Sequence, residues 1–164
     1  MRMLRLSICG ALAALPVSAS ALSCLPHSLE GAYQRVAAEE AEYVVVHGRL
    51  TFDADLLPEV DMSRQADTPP RTVVPARLEG KSMTRRGFDI PFEQAVELDV
   101  LCYGPWCGSA ATGQDVLAFV RRDAETYVLE TNPCGGDLFG TPSAEMLEKV
   151  QACYAGEPCQ PERP

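Results

Sequence analysis

Cysteines are the side chains of this sequence with the most evident chemistry. Cys9 falls among the first 21 residues, and six more follow: Cys24, Cys102, Cys107, Cys134, Cys153 and Cys159. An even number of cysteines in an oxidising compartment predicts three disulfides, and six cysteines allow 15 pairings. Cys102 and Cys107, with four residues between them, are predicted to close a short loop with a structural disulfide.

A thiol–disulfide enzyme is the alternative use of the same cysteines. Trp106-Cys107-Gly108 has the residue order of a redox-active thiol site. The second cysteine of such a site is replaced by Ala110. The segment also links two predicted strands, whereas a reactive thiol is favoured where a helix begins and lowers its pKa. The sequence therefore favours the structural disulfide and keeps the enzyme as a rival.

Other patterns for catalysis or metal binding are missing from the sequence. His27 and His47 are the only histidines, and neither a His-x-x-x-His nor a Cys-x-x-Cys pair is present. The acidic stretch around Asp53, Asp55 and Asp61 lacks the spacing and the glycine of an EF-hand loop. No Gly-x-Ser-x-Gly nucleophile motif occurs. We therefore expect no catalytic residues, no metal, no cofactor and no enzymatic activity.

The first 21 residues have the layout of a secretory signal peptide. Arg2 and Arg5 precede a short apolar run over 6–17, and Ala19-Ser20-Ala21 supplies the small residues of a cleavage site. The run is shorter than the roughly 18 apolar residues that a spanning helix needs. We expect cleavage after Ala21, or alternatively after Ser23, leaving a mature chain outside the cytoplasm, periplasmic or secreted, with no membrane span.

The net charge of the chain limits the classes of partner that the protein can bind. The chain has 14 basic and 23 acidic residues, a formal net charge of −9. Loss of Arg2 and Arg5 with the signal peptide would leave 12 basic residues and a charge of −11. Such a surface repels phosphate backbones, so the sequence argues against a nucleic-acid partner.

Hydrophobic periodicity places these residues on a small set of elements. We expect a first helix over 28–42 and a closing helix over 141–154 that is capped by Thr141. Alternating apolar residues predict strands over 43–52, 73–83, 94–102, 115–122 and 126–131. In the third strand Val96, Leu98 and Val100 are expected to point inward, and Glu97 and Asp99 outward. A turn is expected over 87–92, and a long loop over 53–71.

Five strands flanked by helices suit one small closed or half-closed β-barrel over residues 22–164, with a β-sandwich as the alternative. The length fits a single domain with a core of its own.

The N-terminal part resembles the tissue inhibitors of metalloproteinases and related netrin-like domains. The resemblance rests on Cys24-Leu25-Pro26-His27, a following helix, and the strand Tyr43-Val44-Val45-Val46-His47-Gly48-Arg49-Leu50. It implies a disulfide-stapled, five-stranded OB-type barrel with flanking N- and C-terminal helices. If Cys24 matches the family's second cysteine, the first falls at Leu22. The resemblance then implies the disulfides Cys24–Cys134 and Cys153–Cys159 beside Cys102–Cys107.

These features together predict an exported protein-interaction or ligand-binding module whose partner is a protein or a small ligand. The expected binding surface combines Leu22, Pro26 and His27 with Tyr103 and Trp106, beside the long loop. A secreted protease inhibitor resembling the metalloproteinase inhibitors is the first alternative, and the thiol–disulfide enzyme is the second.

Overall fold

The structure, a computed structural model, describes residues 22–161, and the predicted signal peptide at 1–21 lies outside the described residues. Its helices are α1 (Leu29–Ala38) and α2 (Ala144–Ala155). Its strands are β1 (Glu42–Phe52), β2 (Arg71–Thr84), β3 (Gly87–Tyr103), β4 (Trp106–Cys107), β5 (Gln114–Asp123), β6 (Thr126–Thr131) and β7 (Leu138–Gly140). The expectation of a mainly β fold with two helices flanking the strands is confirmed.

Five of the strands are connected in a ring of pairings. β1 pairs with β2, β2 with β3, and β5 with both β6 and β1, all antiparallel. The ring contains one parallel pair, β3 with β6. The two short strands lie outside it, because β4 pairs with the end of β3 and β7 with the first half of β5.

The strands β1 and β5 are covered on both faces, which explains the apolar runs Tyr43–Val46 in β1 and Val116–Val120 in β5. One face of each points into the ring, where Val46, Leu50 and Val116 join the core of that ring. On the other face, Val45 and Phe119 join a second core with the two helices. The helical contribution to that second core comes from Leu29, Ala32 and Val36 of α1 and Val150 of α2.

Both helices begin or end at different residues from those predicted. Ser28, predicted to be the first helical residue, is the N-cap of α1, and its side chain accepts from the Gly31 N–H. The helix stops at Ala38, short of the predicted end at 42, and Glu39 is already extended. The chain must straighten there because β1 starts at Glu42, which pairs with Arg122 of β5. The cap of α2 is Ser143, whose hydroxyl oxygen accepts from the Met146 N–H.

The prediction that Thr141 caps the closing helix is therefore wrong. The backbone N–H of Thr141 still donates to the carbonyl of Asp115, 2.8 Å away. Thr141, whose φ is +47°, therefore lies directly after β7 and still bonds to β5.

The turn predicted over 87–92 is wrong, since this stretch forms the first third of β3. A two-residue connection, Arg85-Arg86, joins β2 to β3, and Thr84 pairs with Gly87. The stretch continues the ladder with β2, in which Pro91 is opposite Lys81 and Phe92 is opposite Gly80.

Asp99 faces away from the ring as predicted, yet it is buried. The Arg71 guanidinium covers it, with Nε donating to the Asp99 carboxylate at 2.6 Å.

The long loop predicted over 53–71 ends one residue earlier, because Arg71 is the first residue of β2. Two short 3₁₀ turns, Ala54–Leu56 and Gln65–Asp67, lie within the loop.

Candidate functional site

Three disulfides fix the loops at which the predicted site residues lie. They join Cys24 to Cys134, Cys102 to Cys107, and Cys153 to Cys159, the same pairs as those expected from the sequence and the resemblance. The first joins the segment before α1 to the connection between β6 and β7. The second spans the β3–β4 hairpin, and the third ties the chain after α2 back to that helix.

The segment over 22–28 lies extended on the surface. Leu22, Cys24 and Pro26 are exposed, and Leu25 is 88% exposed. The segment borders a groove of about 410 Å³ that Pro26, His27, Arg35 and Asn132 help to line.

His27 anchors this segment to the body of the protein. Its ring stacks on Phe139 with centroids 4.0 Å apart and planes 9° apart. It also lies so close to Gly135 that a Cβ at that position would be 2.3 Å from the ring. Nε2 donates to the carbonyl of Gly136 at 3.0 Å, which assigns the proton to Nε2. Burial lowers the pKa of His27, and the charge of Arg35 acts in the same direction. The stacking on Phe139 and the hydrogen bond to Gly136 give His27 a structural role.

A chain of polar side chains continues from the groove along α1. The Arg35 guanidinium donates to the carboxylates of Asp137 and Glu39, and the Tyr43 hydroxyl donates to Glu39 at 2.6 Å. Burial raises the pKa of Asp137, against the opposing effect of Arg35. Burial and the hydrogen bond to Glu39 raise the pKa of Tyr43 to about 12. A carboxyl with a shifted pKa beside a groove is a feature of active sites. Here each group is already paired, as in a structural network.

Tyr103 and Trp106 lie at the tip of the β3–β4 hairpin. They face each other across the two strands, and a Gly104-Pro105 turn with φ +63° at Gly104 joins them. The exposed fractions are 43% for Tyr103 and 44% for Trp106. Val73, also exposed, lies on the neighbouring strand β2, on the same outer face as Leu101 and Tyr103. The hairpin therefore presents an aromatic, partly apolar surface of fixed shape.

The structure does not assemble the predicted binding surface into one site. Pro26 and His27 share the groove beside α1, and neither Tyr103 nor Trp106 lines that groove. The long loop meets the hairpin, since Pro70 accepts from the Cys102 N–H. The connection between β6 and β7 lies between the two halves, because Asn132 lines the groove as well as a second cleft that reaches Cys107.

That second cleft was missed by the sequence analysis. Its volume is about 410 Å³, and its polar residues include Ser109, Gln114, Thr131 and Asn132. None of them belongs to a recognisable motif. Gly135, with a φ of +110°, forms part of one wall.

The acidic residues of the long loop stabilise its turns. Asp53 accepts from the Asp55 N–H, and Asp61 accepts from Ser63 and Arg64. Across residues 22–161, no group of three His, Cys, Asp or Glu side chains is arranged to hold a metal ion. Neither helix of the described chain is long and apolar enough to cross a membrane.

The chain was compared with protein-family models, with curated proteins and with solved structures, and no match was found in any of the three.

Proposed function

We propose that this chain is an exported, disulfide-bonded interaction module that binds a protein partner through the hairpin surface formed by Leu101, Tyr103 and Trp106 with Val73. The observation that carries the proposal is the exposure of Tyr103 and Trp106 on a hairpin closed by Cys102–Cys107. Tyrosine and tryptophan are the residues most enriched at the energetic centre of protein interfaces.

Rigidity of the hairpin supports this assignment. The disulfide joins the residues next to Tyr103 and Trp106, and Cys102 and Gly108 are both hydrogen bonded to neighbouring backbone. Binding therefore orders little additional chain, which favours affinity. The Trp106 ring lies over Gly104 and still keeps almost half of its surface exposed. Packing over its own turn therefore leaves part of the Trp106 side chain free for a partner.

For the fold, we propose that the ring of strands is an OB-type barrel. The order β1-β2-β3-β6-β5, with β5 returning to β1, and the single parallel pair support this reading. The resemblance of the N-terminal part to netrin-like domains is a second support. An OB fold is a five-stranded Greek-key barrel that presents binding surfaces on its strands and loops.

For the location, we propose export with cleavage near Ala21. The layout of residues 1–21 supports it, as do three disulfides, which persist in oxidising compartments.

The two alternatives have less support. A metalloproteinase inhibitor of the resembled family clamps its first residue with a disulfide to the loop after the third strand. Here Cys102 and Cys107 of that loop bond each other, so Leu22 has no such clamp. A thiol–disulfide enzyme needs an accessible, activated thiol, whereas Cys102 is buried in a strand.

The test compares how much of a partner protein is recovered with the wild type and with matched variants. The exported, tagged protein is cross-linked in an extract of the extracytoplasmic compartment of its own source organism. Proteins recovered with the wild type are then quantified for Trp106→Ala, Tyr103→Ala and a control, Tyr154→Ala, which removes an aromatic of similar exposure from α2.

We expect both hairpin variants to lower recovery of a specific protein at least about tenfold, and the control to leave it unchanged. Equal recovery by wild type and both hairpin variants would refute the proposal, provided that circular dichroism shows all four proteins folded.

A further inference from the structure

A cleft separate from the hairpin surface lies at one end of the strand ring. It is bounded by the loop after β4, the start of β5, the connection from β6 to β7, and β7 itself. Its volume of about 410 Å³ falls within the range of small-molecule sites. Its lining residues are Cys107, Ser109, Ala110, Ala111, Gln114, Val116, Thr131, Asn132, Pro133, Gly135, Leu138 and Gly140.

No charged side chain is among these lining residues. This is unusual in a chain in which 23% of residues are charged and acidic groups dominate. A charged ligand would leave its hydration shell here without gaining an opposite charge, which is strongly unfavourable. The lining therefore selects an uncharged ligand.

The walls of the cleft are fixed before any ligand arrives. Thr131, only 1% exposed, places its hydroxyl 3.2 Å from the carbonyl of Ser109 and 3.4 Å from that of Gly135, so it bridges the two facing walls. Cys102–Cys107 anchors one wall and Cys24–Cys134 the other. Gly108 packs against the backbone of Thr131 so closely that a Cβ there would lie 2.5 Å from the Thr131 carbonyl carbon.

Polar and apolar groups are separated within the cleft. Val116, Leu138 and Ala110 form an apolar floor that continues into the core of the ring. The rim carries the amide of Gln114 and the hydroxyl of Ser109, both exposed. Within residues 22–161 the structure shows no hydrogen bond to the Gln114 side chain, whose Oε1 lies beside Gly140. A carboxamide offers one acceptor and two donor hydrogens, which complement another amide.

We propose that this cleft binds a small uncharged ligand through a secondary amide with a short apolar substituent, such as an N-acetyl group. The amide would pair with Gln114 at the rim, and the methyl group would contact the floor at Val116 and Leu138. An N-acetylated sugar and an acylated peptide both present this chemistry. The inference is independent of the proposed hairpin surface, because none of the hairpin's surface residues lines the cleft.

The test is an amide chemical-shift titration of the ¹⁵N-labelled, disulfide-intact protein. The probes are N-acetylglucosamine and N-acetylalanine N-methylamide, and the charged controls are glucosamine and acetate. We expect saturable shifts in the segments 107–116 and 131–140 with at least one of the two amide probes, and none with the charged compounds. The probe that binds more tightly then identifies the source of the amide.

Two variants and one control sharpen the test. Gln114→Ala should weaken binding of the responding probe about tenfold, since it removes the pairing amide. Ala111→Phe should block the cleft and abolish the shifts. Gln94→Ala, at an exposed position of β3, should leave the titration unchanged. The proposal is overturned if neither amide probe shifts these segments, if the charged controls shift them equally, or if Gln114→Ala binds like the wild type.

Discussion

At Asp137, burial and pairing with Arg35 have opposite effects on the pKa of the carboxyl group. The Asp137 side chain is only 6% exposed, and the Arg35 guanidinium is the basic group that contacts it. Burial disfavours the charged carboxylate more than Arg35 favours it, so the pKa of Asp137 is raised. Arg35 itself is nearly half exposed and also pairs with Glu39 at 3.2 Å. Loss of the Asp137 charge would therefore leave no buried, unpaired cation behind.

We expect Asp137→Asn to keep or raise stability at neutral pH, by up to about 1 kcal/mol. The amide still accepts from Arg35, and the buried negative charge disappears. The folded protein binds a proton at Asp137 at a higher pH than the unfolded chain does. The wild type therefore gains stability as pH falls from the raised pKa of Asp137 towards the ordinary carboxyl value, and the variant's advantage should shrink over that window.

Urea unfolding of both proteins between pH 7 and pH 4 measures this difference. Glu39→Gln serves as the control, because it removes an exposed partner of the same arginine. A variant advantage that grows on acidification would show that pairing with Arg35, and not burial, dominates at Asp137.

At this scale, the sequence could not predict which individual carboxylates are buried. The alternation in the third predicted strand assigned Asp99 to the outer face correctly. It could not show that Arg71 would cover that face, because the two residues are 28 positions apart and meet only through the pairing of β2 with β3. His27 was predicted to be a surface residue for binding. Its stacking on Phe139 depends on a similar long-range contact.

Between elements, β1 and β2 make a close backbone contact at a pair of glycines. Gly48 and Gly80 are directly opposite each other in the two strands. A Cβ at Gly48 would lie 2.3 Å from the carbonyl oxygen of Glu79, and one at Gly80 would lie 2.2 Å from that of His47. Both obstacles are backbone atoms, which a side-chain rotation cannot move. The two strands can pack this closely only because both positions lack a side chain.

We therefore expect Gly48→Ala to destabilise the fold by more than about 2 kcal/mol. Gly140→Ala is the matched control, since it is also in a strand and its Cβ would meet nothing closer than Gln114 Oε1 at 3.5 Å. The control should change stability by less than about 0.5 kcal/mol. Thermal and urea unfolding of the two variants measure both effects, and equal losses would refute the role assigned to the close approach.

Long strands were predictable from the sequence, whereas short ones were not. The five predicted strands correspond to β1, β2, β3, β5 and β6, because each carries several alternating apolar residues that enter a core. The strands β4 and β7 have two and three residues. A run of two or three residues is too short to show a periodic apolar pattern. These residues form strands only because they pair with β3 and β5.

For the whole molecule, the location of the binding surfaces depends on how distant loops meet. The sequence placed the N-terminal segment and the aromatic hairpin side by side, following the family resemblance. In the structure the connection between β6 and β7 lies between them and forms a wall of the groove and of the cleft. That arrangement comes from the parallel pairing of β3 with β6, which local sequence patterns do not encode.

The disulfides should contribute unequally to the stability of the whole chain. Cys24–Cys134 closes a loop with a sequence separation of 110, and Cys102–Cys107 closes one of 5. A cross-link restricts the unfolded chain more when the loop that it closes is longer. Loop entropy alone assigns close to 5 kcal/mol to the first and about 2 kcal/mol to the second. Cys24–Cys134 also holds the segment whose His27 stacks on Phe139.

We expect the double variant Cys24→Ser/Cys134→Ser to lose roughly twice as much stability as Cys102→Ser/Cys107→Ser in urea unfolding at neutral pH. The first variant should also expose the backbone amides near His27 and Gly136 to faster hydrogen exchange, since both walls of the groove lose their link. The second should leave those amides protected. If the short hairpin disulfide proved the more stabilising of the two, native contacts and not unfolded-chain entropy would control the stability of this protein.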